Sequence, residues 1–468
     1  MLFSSIPFLY YFLPCVLVLY FLAPKKLKNT VLLLSSLFFY AWGEPRFVVF
    51  MVLSIVQGYL FGLLVEKNLT ANKKRAKVYL TVSVLFSLGL LGYCKYADFF
   101  IANFNAVTGL SVPLLKVALP IGISFYTFQI LSYVVDVYRG DKKAQRNFIN
   151  LAAYIAMFPQ LIAGPIVRYS DVADELENRT HSIADAAAGA RRFIIGLSKK
   201  ILIADVLGVL VKDFKETDEK TLLFYWLYAI AFMLQLYFDF SGYSDMAIGL
   251  GRIFGFHFAE NFNYPYISGT VTEFWRRWHM SLGSWFRDYV YIPLGGNRVP
   301  RWRHFLNILI VWMLTGFWHG AAWNFVLWGL FFAFFLILEK LWLKRPLEKT
   351  HVLKHVYVLL LAAVSFVIFD AAGARDALTS VGAMFGAGSL PLTDSVSVYY
   401  LRSFAVMLIV AMIGATPLPS LAARKLSASR AGEKILAVAE PICLVALLAV
   451  CTAFLVDGSF NAFLYFRF

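Results

Sequence analysis

Two histidines in apolar surroundings, His279 and His319, are the residues of this 468-residue chain that are best suited to chemistry. His279 follows the aromatic and basic string at residues 274–278, and His319 lies within a glycine-flanked string at residues 316–320. An ionisable side chain inside a membrane is costly, and therefore suggests a function. A neutral imidazole there can act as a general base, removing the proton of a hydroxyl so that its oxygen attacks an acyl thioester. The pair predicts acyl transfer.

Other common catalytic motifs do not occur in the sequence. It has no G-x-S-x-G, H-E-x-x-H or Gly-rich phosphate-binding motif, which argues against serine-hydrolase, zinc-protease and P-loop chemistry. The four cysteines have no C-x-x-C spacing, so neither a disulfide framework nor a zinc site is expected. The sequence therefore predicts no metal site and no permanently bound cofactor.

The elements that must position these histidines are membrane helices. Hydrophobic residues make up 60% of the chain and charged residues 15%. Uncharged runs recur at lengths near the ~20 residues that a helix needs to cross a hydrocarbon core of about 30 Å, whereas barrel strands would alternate over about ten residues. We predict an all-α, polytopic integral membrane protein of roughly ten to thirteen helices with re-entrant or interfacial segments. A single membrane domain would cover residues 1–468.

Basic loops set the expected orientation, because Lys and Arg favour the cytoplasmic side of a membrane. Five basic clusters are predicted to be cytoplasmic, at residues 25–28, 67–77, 139–146, 340–354 and 424–434. Residues 371–398 would form an external loop, and both termini would be extracytoplasmic. These clusters account for the net charge of +15, so no nucleic-acid partner is expected. The first apolar run is interpreted as a membrane segment rather than a cleaved signal.

A helix is expected around His279. Thr270 and Glu273 have the spacing of a capping box, which predicts a helix that begins there. This helix would carry Arg276 and His279 on neighbouring faces and would end near Gly283.

The block that follows is unlike a spanning helix. Residues 285–297 mix aromatic, charged and turn-forming side chains, which is typical of a re-entrant or interfacial segment. The simpler alternative is an interfacial anchor, with aromatic rings and arginines at the level of the lipid headgroups. Anchoring explains the composition of the block but requires neither His279 nor Ser281.

His319 lies in an unusually long apolar run. Residues 305–338 contain no Asp, Glu, Lys or Arg, and as one helix they would extend about 51 Å, too far for an upright span. A break or a steep tilt is therefore predicted, with Gly316 and Gly320 as its site. A histidine that merely bridges two helices is the structural alternative for His319, but its depth in the membrane favours a function.

Two aspartates follow the apolar run at residues 221–238. Asp239 and Asp245 lie in a polar, glycine-containing string that does not resemble an ordinary spanning helix. They either serve the function directly or form structural ion pairs with arginines. The candidate partners are Arg252, Arg276, Arg277 and Arg287.

Several strings together resemble a known family. They lie at residues 119–126, 158–165, 237–247, 273–297 and 316–324, with further similarity at residues 3–5 and 463–468. On these strings, the chain resembles the membrane-bound O-acyltransferases, and in particular their alginate O-acetylation branch. The resemblance extends over essentially the whole sequence.

The resemblance implies an acetyltransferase of the bacterial cytoplasmic membrane with its active site in a funnel. Acetyl would pass from a cytoplasmic thioester donor, acetyl-CoA, across the membrane for O-acetylation of an exported polysaccharide such as alginate or a cell-wall polymer. His319 would be the general base, and His279 would position donor or acceptor and assist the proton transfer. An extracytoplasmic acetyltransferase would be the partner protein that completes the transfer to sugar.

Two alternatives remain open at this point. Within the family, the chain could transfer D-alanyl or another acyl group from a carrier protein to a cell-wall polymer. Outside the family, it could be a membrane transporter that uses intramembrane His and Asp as a proton or solute path. A transporter of that kind predicts paired broken helices in two related halves, and only one such region is evident in the sequence.

Overall fold

The computed structural model describes residues 1–161 and 164–458, and every regular element in that part of the chain is helical. The all-α prediction is confirmed. Some sequence-based predictions lie outside the described residues. These are the family resemblance at residues 463–468, two positions of the string at residues 158–165, and the location of the C-terminus. The chain divides into two compact units, one of Met1–Phe193 with Met246–Ala259, the other of Ile194–Asp245 with the chain from Glu260 onward.

Ten α-helices of the described residues lie or begin in the first unit. They are α1 Leu13–Leu22, α2 Lys28–Gly43, α3 Val48–Leu69, α4 Lys73–Leu91, α5 Ala97–Thr108, α6 Ile123–Arg139, α7 Phe148–Ala156, α8 Phe158–Leu161, α9 Tyr169–Asn178 and α10 Ile183–Ser198.

The second unit contains the two histidines and most of the remaining helices. These are α11 Val206–Glu216, α12 Leu222–Ile253, α13 Val271–Arg277, α14 Met280–Phe286, α15 Arg301–His319, α16 Trp323–Leu338, α17 Lys344–Glu348, α18 Leu353–Asp370, α19 Ala374–Met384, α20 Ser395–Gly414, α21 Leu418–Ser427 and α22 Arg430–Val456. Of these, α12 extends beyond the second unit at its C-terminal end.

Within the described residues, seven helical segments are long and apolar enough to cross a membrane. They are Pro45–Leu69, Lys73–Thr108, Leu222–Ile253, Trp323–Glu348, Leu353–Asp370, Ser395–Gly414 and Arg430–Val456. The apolar segment Pro7–Leu22 is shorter, as is α2 with 16 residues. The polytopic membrane fold is thus confirmed, and the count of seven is lower than the predicted ten to thirteen because several apolar helices are short.

The helix α12 continues through the aspartate string, where we had expected an irregular segment. Asp239 and Asp245 both lie within its 32 residues. Lysines neutralise them: Lys200 Nζ is 2.7 Å from Asp239 Oδ1, and Lys199 Nζ is 2.6 Å from Asp245 Oδ2. The ion pairs neutralise the two carboxylates, and the continuous helix hydrogen-bonds the backbone N–H and C=O groups. Both kinds of group would otherwise be costly to bury within a membrane protein.

The predicted arginine partners were therefore wrong, although the structural pairing itself was anticipated. Arg277 binds Glu273, with Nη2 2.9 Å from Oε1, and Arg287 binds its neighbour Asp288. Arg252 lies 3.5 Å from Asp185. These three arginines therefore pair with other carboxylates, and none of them pairs with Asp239 or Asp245.

The predicted break in the long apolar run is confirmed at Gly320, whereas Gly316, the other predicted position, lies inside α15. The helix α15 ends at His319, Gly320 is extended with φ −167°, and α16 begins at Trp323. The two helices pack closely through glycines, because a Cβ on Gly316 would overlap the carbonyl oxygen of Phe325 and one on Gly329 would overlap that of Trp312. Small residues at such crossings let helix backbones approach each other in membranes.

We expect Gly316→Ala to destabilise the protein by about 1–3 kcal/mol, because the added methyl group has no space and the helices must separate. The melting temperature in detergent measures this effect. Gly89→Ala in α4 is the matched control, since nothing lies within 4 Å of a Cβ at that position. Equal melting temperatures for the two variants would show that the close approach of α15 and α16 does not contribute to stability.

Candidate active site

A break between two short helices places His279. As predicted, a helix begins here, because the side chain of Thr270 caps α13 by accepting the Glu273 N–H at 3.0 Å. The Glu273 carboxylate accepts the N–H of Gly269 at 3.0 Å, rather than that of Thr270 as in a complete capping box. However, α13 ends at Arg277, and α14 begins at Met280. The prediction of one helix reaching Gly283 was wrong.

His279 itself occupies the break with a left-handed backbone, at φ 44° and ψ 53°. This conformation costs of order 1–3 kcal/mol for a residue with a side chain, and such strain clusters at functional sites. His279 is consequently not on a common helical face with Arg276. The left-handed turn directs its ring independently of α13.

Polar contacts from Asn261 hold this break together. The Asn261 carbonyl oxygen accepts the N–H of Met280 at 2.9 Å. Its side-chain Oδ1 lies 3.1 Å from His279 Nδ1 and accepts the N–H of Ser281 at 3.2 Å. On its other side, the Asn261 amide donates to Ser244 Oγ at 3.0 Å. One asparagine therefore contacts both the backbone and the side chain at the break.

The ring of His279 is 2% exposed and is enclosed by aromatic side chains. Phe240 contacts it edge-on at 4.7 Å between ring centroids, and the Trp318 ring lies at 6.1 Å. Burial among apolar rings disfavours an imidazolium, so His279 is a neutral base. Its Nε2 has no hydrogen-bond partner in the described part of the chain.

His319, the last residue of α15, lies in the same aromatic cluster. Its ring is 4.9 Å from that of Trp318, 5.1 Å from Trp328 and 5.2 Å from Phe369. The Trp318 indole thus neighbours both imidazoles, and folding brings together two histidines that are far apart in sequence. His319 is 8% exposed, which agrees with the predicted burial.

A cavity of about 610 Å³ reaches His279. Its wall comes from α13, α14, α15 and α16 and from the residues that directly follow α14 and α16. It includes the cationic residues Arg276, Arg287 and Lys340, while His319 is not among the residues that line it. Arg287 is neutralised by Asp288, at 2.6 Å between Nε and Oδ1. Arg276 and Lys340 are exposed, make no ion pair within the described residues, and repel each other electrostatically. The cavity therefore combines a neutral base with two cations available to an anion.

Sequence reasoning did not single out Asn261, Lys199, Lys200 or Lys340 as site or structural residues. In the sequence, Lys340 is recognisable only as part of a basic cluster. Their roles depend on contacts between distant segments, and no local spacing signals such contacts. Arg287, from the block at residues 285–297 that the sequence marks as unlike a spanning helix, does line the cavity.

The structure thus combines two buried histidines in one aromatic cluster, and one of them, His279, lines a cavity between helices of a membrane protein. Residues 142–369 match the model of the membrane-bound O-acyltransferase family, MBOAT, and the chain belongs to that family. The protein is therefore an O-acyltransferase, and this assignment replaces the transporter alternative.

Three relatives show which members of the family the chain is similar to. The probable alginate O-acetylase AlgI of Azotobacter vinelandii is 44% identical over 399 residues, which is 84% of this chain and 80% of the relative. A peptidoglycan O-acetyltransferase of Helicobacter pylori is 35% identical, covering 70% of this chain and 68% of the relative. A teichoic acid D-alanyltransferase of Bacillus subtilis is 33% identical over 226 residues, covering 46% of this chain and 57% of the relative.

Proposed function

We propose that this O-acyltransferase moves acetyl from a cytoplasmic thioester donor, acetyl-CoA, across the membrane for the O-acetylation of an exported polysaccharide. The polymer would be alginate or a chemically related cell-wall polymer, as the names of the O-acetylating relatives suggest. The acceptor hydroxyl would belong to the polymer or to an extracytoplasmic acetyltransferase that passes the acetyl group on. The enzyme would lie in the bacterial cytoplasmic membrane.

One observation carries the proposal. His279, whose buried Nε2 has no hydrogen-bond partner in the described part of the chain, lines a cavity whose wall also bears Arg276 and Lys340. Acetyl-CoA has a reactive thioester at one end and several phosphates towards the other. A cavity suits this donor if it offers cations for the phosphates and a base for the hydroxyl that attacks the thioester. Charge-assisted hydrogen bonds from Arg and Lys are the usual means of holding phosphate.

The predicted orientation supports a cytoplasmic donor. The helix α16 begins at Trp323, four residues after His319, and ends at Leu338, next to Lys340. Lys340 opens the basic cluster at residues 340–354, which the bias of Lys and Arg assigns to the cytoplasm. The cations of the cavity would then lie towards the cytoplasm, and His319 would lie towards the external loop at residues 371–398.

The reaction would be a single displacement at the thioester carbonyl. The acceptor oxygen bonds to the carbonyl carbon while a histidine takes the hydroxyl proton. The carbon–sulfur bond breaks, and the leaving thiolate receives that proton to give free CoA thiol. Products are an O-acetyl ester and CoA, and the histidine returns to its neutral form.

Both histidines are proposed to be catalytic. The resemblance gives the proton transfer to His319, whereas the position of His279 in the wall of the cavity, with an Nε2 that has no hydrogen-bond partner among the described residues, supports His279 in that role. We propose that His279 accepts and returns the proton and that His319, beside the shared Trp318, binds the acceptor hydroxyl. The two roles implied by the resemblance would then be interchanged.

The donor is tested by competition in proteoliposomes that contain the full chain. Labelled acetyl-CoA and a D-alanyl-loaded carrier protein are supplied separately and together, and release of free thiol is followed for each. We expect turnover with acetyl-CoA and no more than weak inhibition by the carrier protein. Turnover with the D-alanyl carrier alone would replace acetyl transfer with the D-alanyl alternative.

The two cations give a separate prediction. Arg276→Gln and Lys340→Gln are each expected to raise the KM for acetyl-CoA about five- to tenfold, which corresponds to about 1 kcal/mol of lost phosphate binding, with kcat within about twofold. Initial rates at varied acetyl-CoA concentration measure this. Lys344→Gln is the matched control, because Lys344 pairs with Glu348 at 3.9 Å and does not line the cavity. A similar KM for all three variants would remove the phosphate site from the proposal.

A further inference from the structure

The hydrogen bonds of Asn261 determine which nitrogen of His279 is basic. We propose that Asn261 is a positioning residue that holds His279 in the tautomer with its proton on Nδ1 and its lone pair on Nε2, facing the acyl donor. The inference rests on the proposed proton transfer by His279.

The orientation of the Asn261 amide follows from its neighbours. A backbone N–H can only donate, and the N–H of Ser281 points at Oδ1 from 3.2 Å. The Ser281 hydroxyl also donates to Oδ1, at 2.9 Å. The opposite end of the amide, Nδ2, donates to Ser244 Oγ at 3.0 Å. Oδ1 is therefore the atom that faces His279.

The tautomer of His279 follows from this orientation. Oδ1 is an acceptor only, and it lies 3.1 Å from His279 Nδ1. Two acceptors at this distance would repel each other, so Nδ1 carries the hydrogen. The Ser281 hydroxyl is 3.5 Å from Nδ1 but 2.9 Å from Oδ1, and its proton therefore goes to Oδ1. In a neutral ring, the lone pair is then on Nε2.

The same residue also fixes the position of the ring. Its carbonyl oxygen accepts the Met280 N–H at 2.9 Å, directly after the left-handed turn at His279. The backbone and the ring are thus held by one residue, Asn261, which is 1% exposed. Because an amide is uncharged, it orients the imidazole without stabilising the imidazolium as a carboxylate would. His279 can therefore accept a proton and release it again to the leaving thiolate.

The test compares Asn261→Ala and Asn261→Asp with the wild type by CoA release from acetyl-CoA, in the presence of alginate oligosaccharide. Asn261→Ala is expected to lower kcat about a hundredfold with less than a threefold change in the KM for acetyl-CoA, since loss of the correct tautomer is known to slow histidine-dependent catalysis strongly. Asn261→Asp keeps an acceptor for the Nδ1–H of His279, so at high pH its kcat should be at least about tenfold higher than that of Asn261→Ala.

The pH profile separates positioning from a structural role. A carboxylate at position 261 stabilises the imidazolium and raises the pKa of His279, so the acidic limb of the kcat profile should move to higher pH by about one unit or more. Ser244→Ala is the control, because it removes the acceptor of the Asn261 Nδ2–H but leaves Asn261 Oδ1 and its donors in place. It should change kcat less than about threefold. A kcat for Asn261→Ala within threefold of the wild type, or an Asn261→Asp profile without the shift, would overturn the inference.

A direct measurement of the tautomer does not depend on activity. Solid-state NMR of the full chain in bilayers, labelled with ¹⁵N-histidine, distinguishes protonated from unprotonated ring nitrogens, and His279→Asn assigns the His279 signals. We expect a protonated Nδ1 and an unprotonated Nε2 in the wild type. The opposite tautomer would refute the inference even if acetyl transfer holds, whereas an inactive wild type with the expected tautomer would refute the proposed function alone.

Discussion

Replacing His279 with alanine is expected to lower kcat for acetyl transfer by about a thousandfold, while the chain remains folded. His279 is the only histidine among the residues that line the cavity, so the variant would lose the proposed base. General base catalysis contributes about 10²–10⁴-fold. His319→Ala should reduce kcat to a similar extent, because the acceptor hydroxyl would lose its proposed binding partner. Initial rates of CoA release from acetyl-CoA with a polysaccharide acceptor measure both effects.

Two further variants make this result interpretable. His279→Asn replaces the imidazole with a residue that tolerates the left-handed backbone, so its loss of activity cannot come from strain in the turn. His257→Ala removes an exposed histidine that binds Glu175 at 2.7 Å, and it should leave kcat within about twofold. Full turnover by folded His279→Asn would contradict the proton-transfer role.

The second large effect is on stability. Lys200→Met is expected to destabilise the protein by about 3–5 kcal/mol, because it leaves buried carboxylates without their cation. Lys200 is 0% exposed, with Nζ 2.7 Å from Asp239 Oδ1 and 3.0 Å from Asp205 Oδ1. The melting temperature in detergent and the yield of monodisperse protein measure the loss.

The comparison for Lys200 is an exposed pair on α11. Lys212 lies 3.8 Å from Glu216, with both side chains more than half exposed, so Lys212→Met should cost less than about 0.5 kcal/mol. Replacing Asp239 and Asp205 with asparagine should restore part of the stability of Lys200→Met, since the uncompensated charges are then gone. If Lys200→Met melted at the same temperature as Lys212→Met, the buried cluster would not be a determinant of this fold.

The membrane fold was predictable because it follows from composition and run length. The break between α15 and α16 was also predictable, since 34 uncharged residues exceed one span and Gly320 stands at the point where the chain turns. The continuous course of α12 was not predictable. It depends on Lys199 and Lys200, which come from a segment about forty residues earlier and neutralise the two aspartates in space.

The site was predictable in its residue types but not in its geometry. His279 and His319 were singled out from their cost in a membrane, and the cap at Thr270 came from local spacing. The turn at His279 was missed because contacts of Asn261 stabilise it, and a local pattern of helix-forming residues does not reveal a distant partner. For the same reason, no sequence pattern indicated that Trp318 would lie beside both imidazoles.

The central claim is that acetyl passes from a donor on one side of the membrane to a hydroxyl acceptor on the other. The most direct measurement uses proteoliposomes with the full chain. Acetyl-CoA labelled in the acetyl group is supplied on the side of the basic loops, and alginate oligosaccharide is supplied on the opposite side, with and without the proposed extracytoplasmic acetyltransferase. We predict that label appears as O-acetyl ester on the acceptor, with one CoA thiol released per ester and with loss of both products in His279→Asn. Ester formation at the same rate in His279→Asn, or no labelled ester despite a folded wild-type protein, would contradict this account.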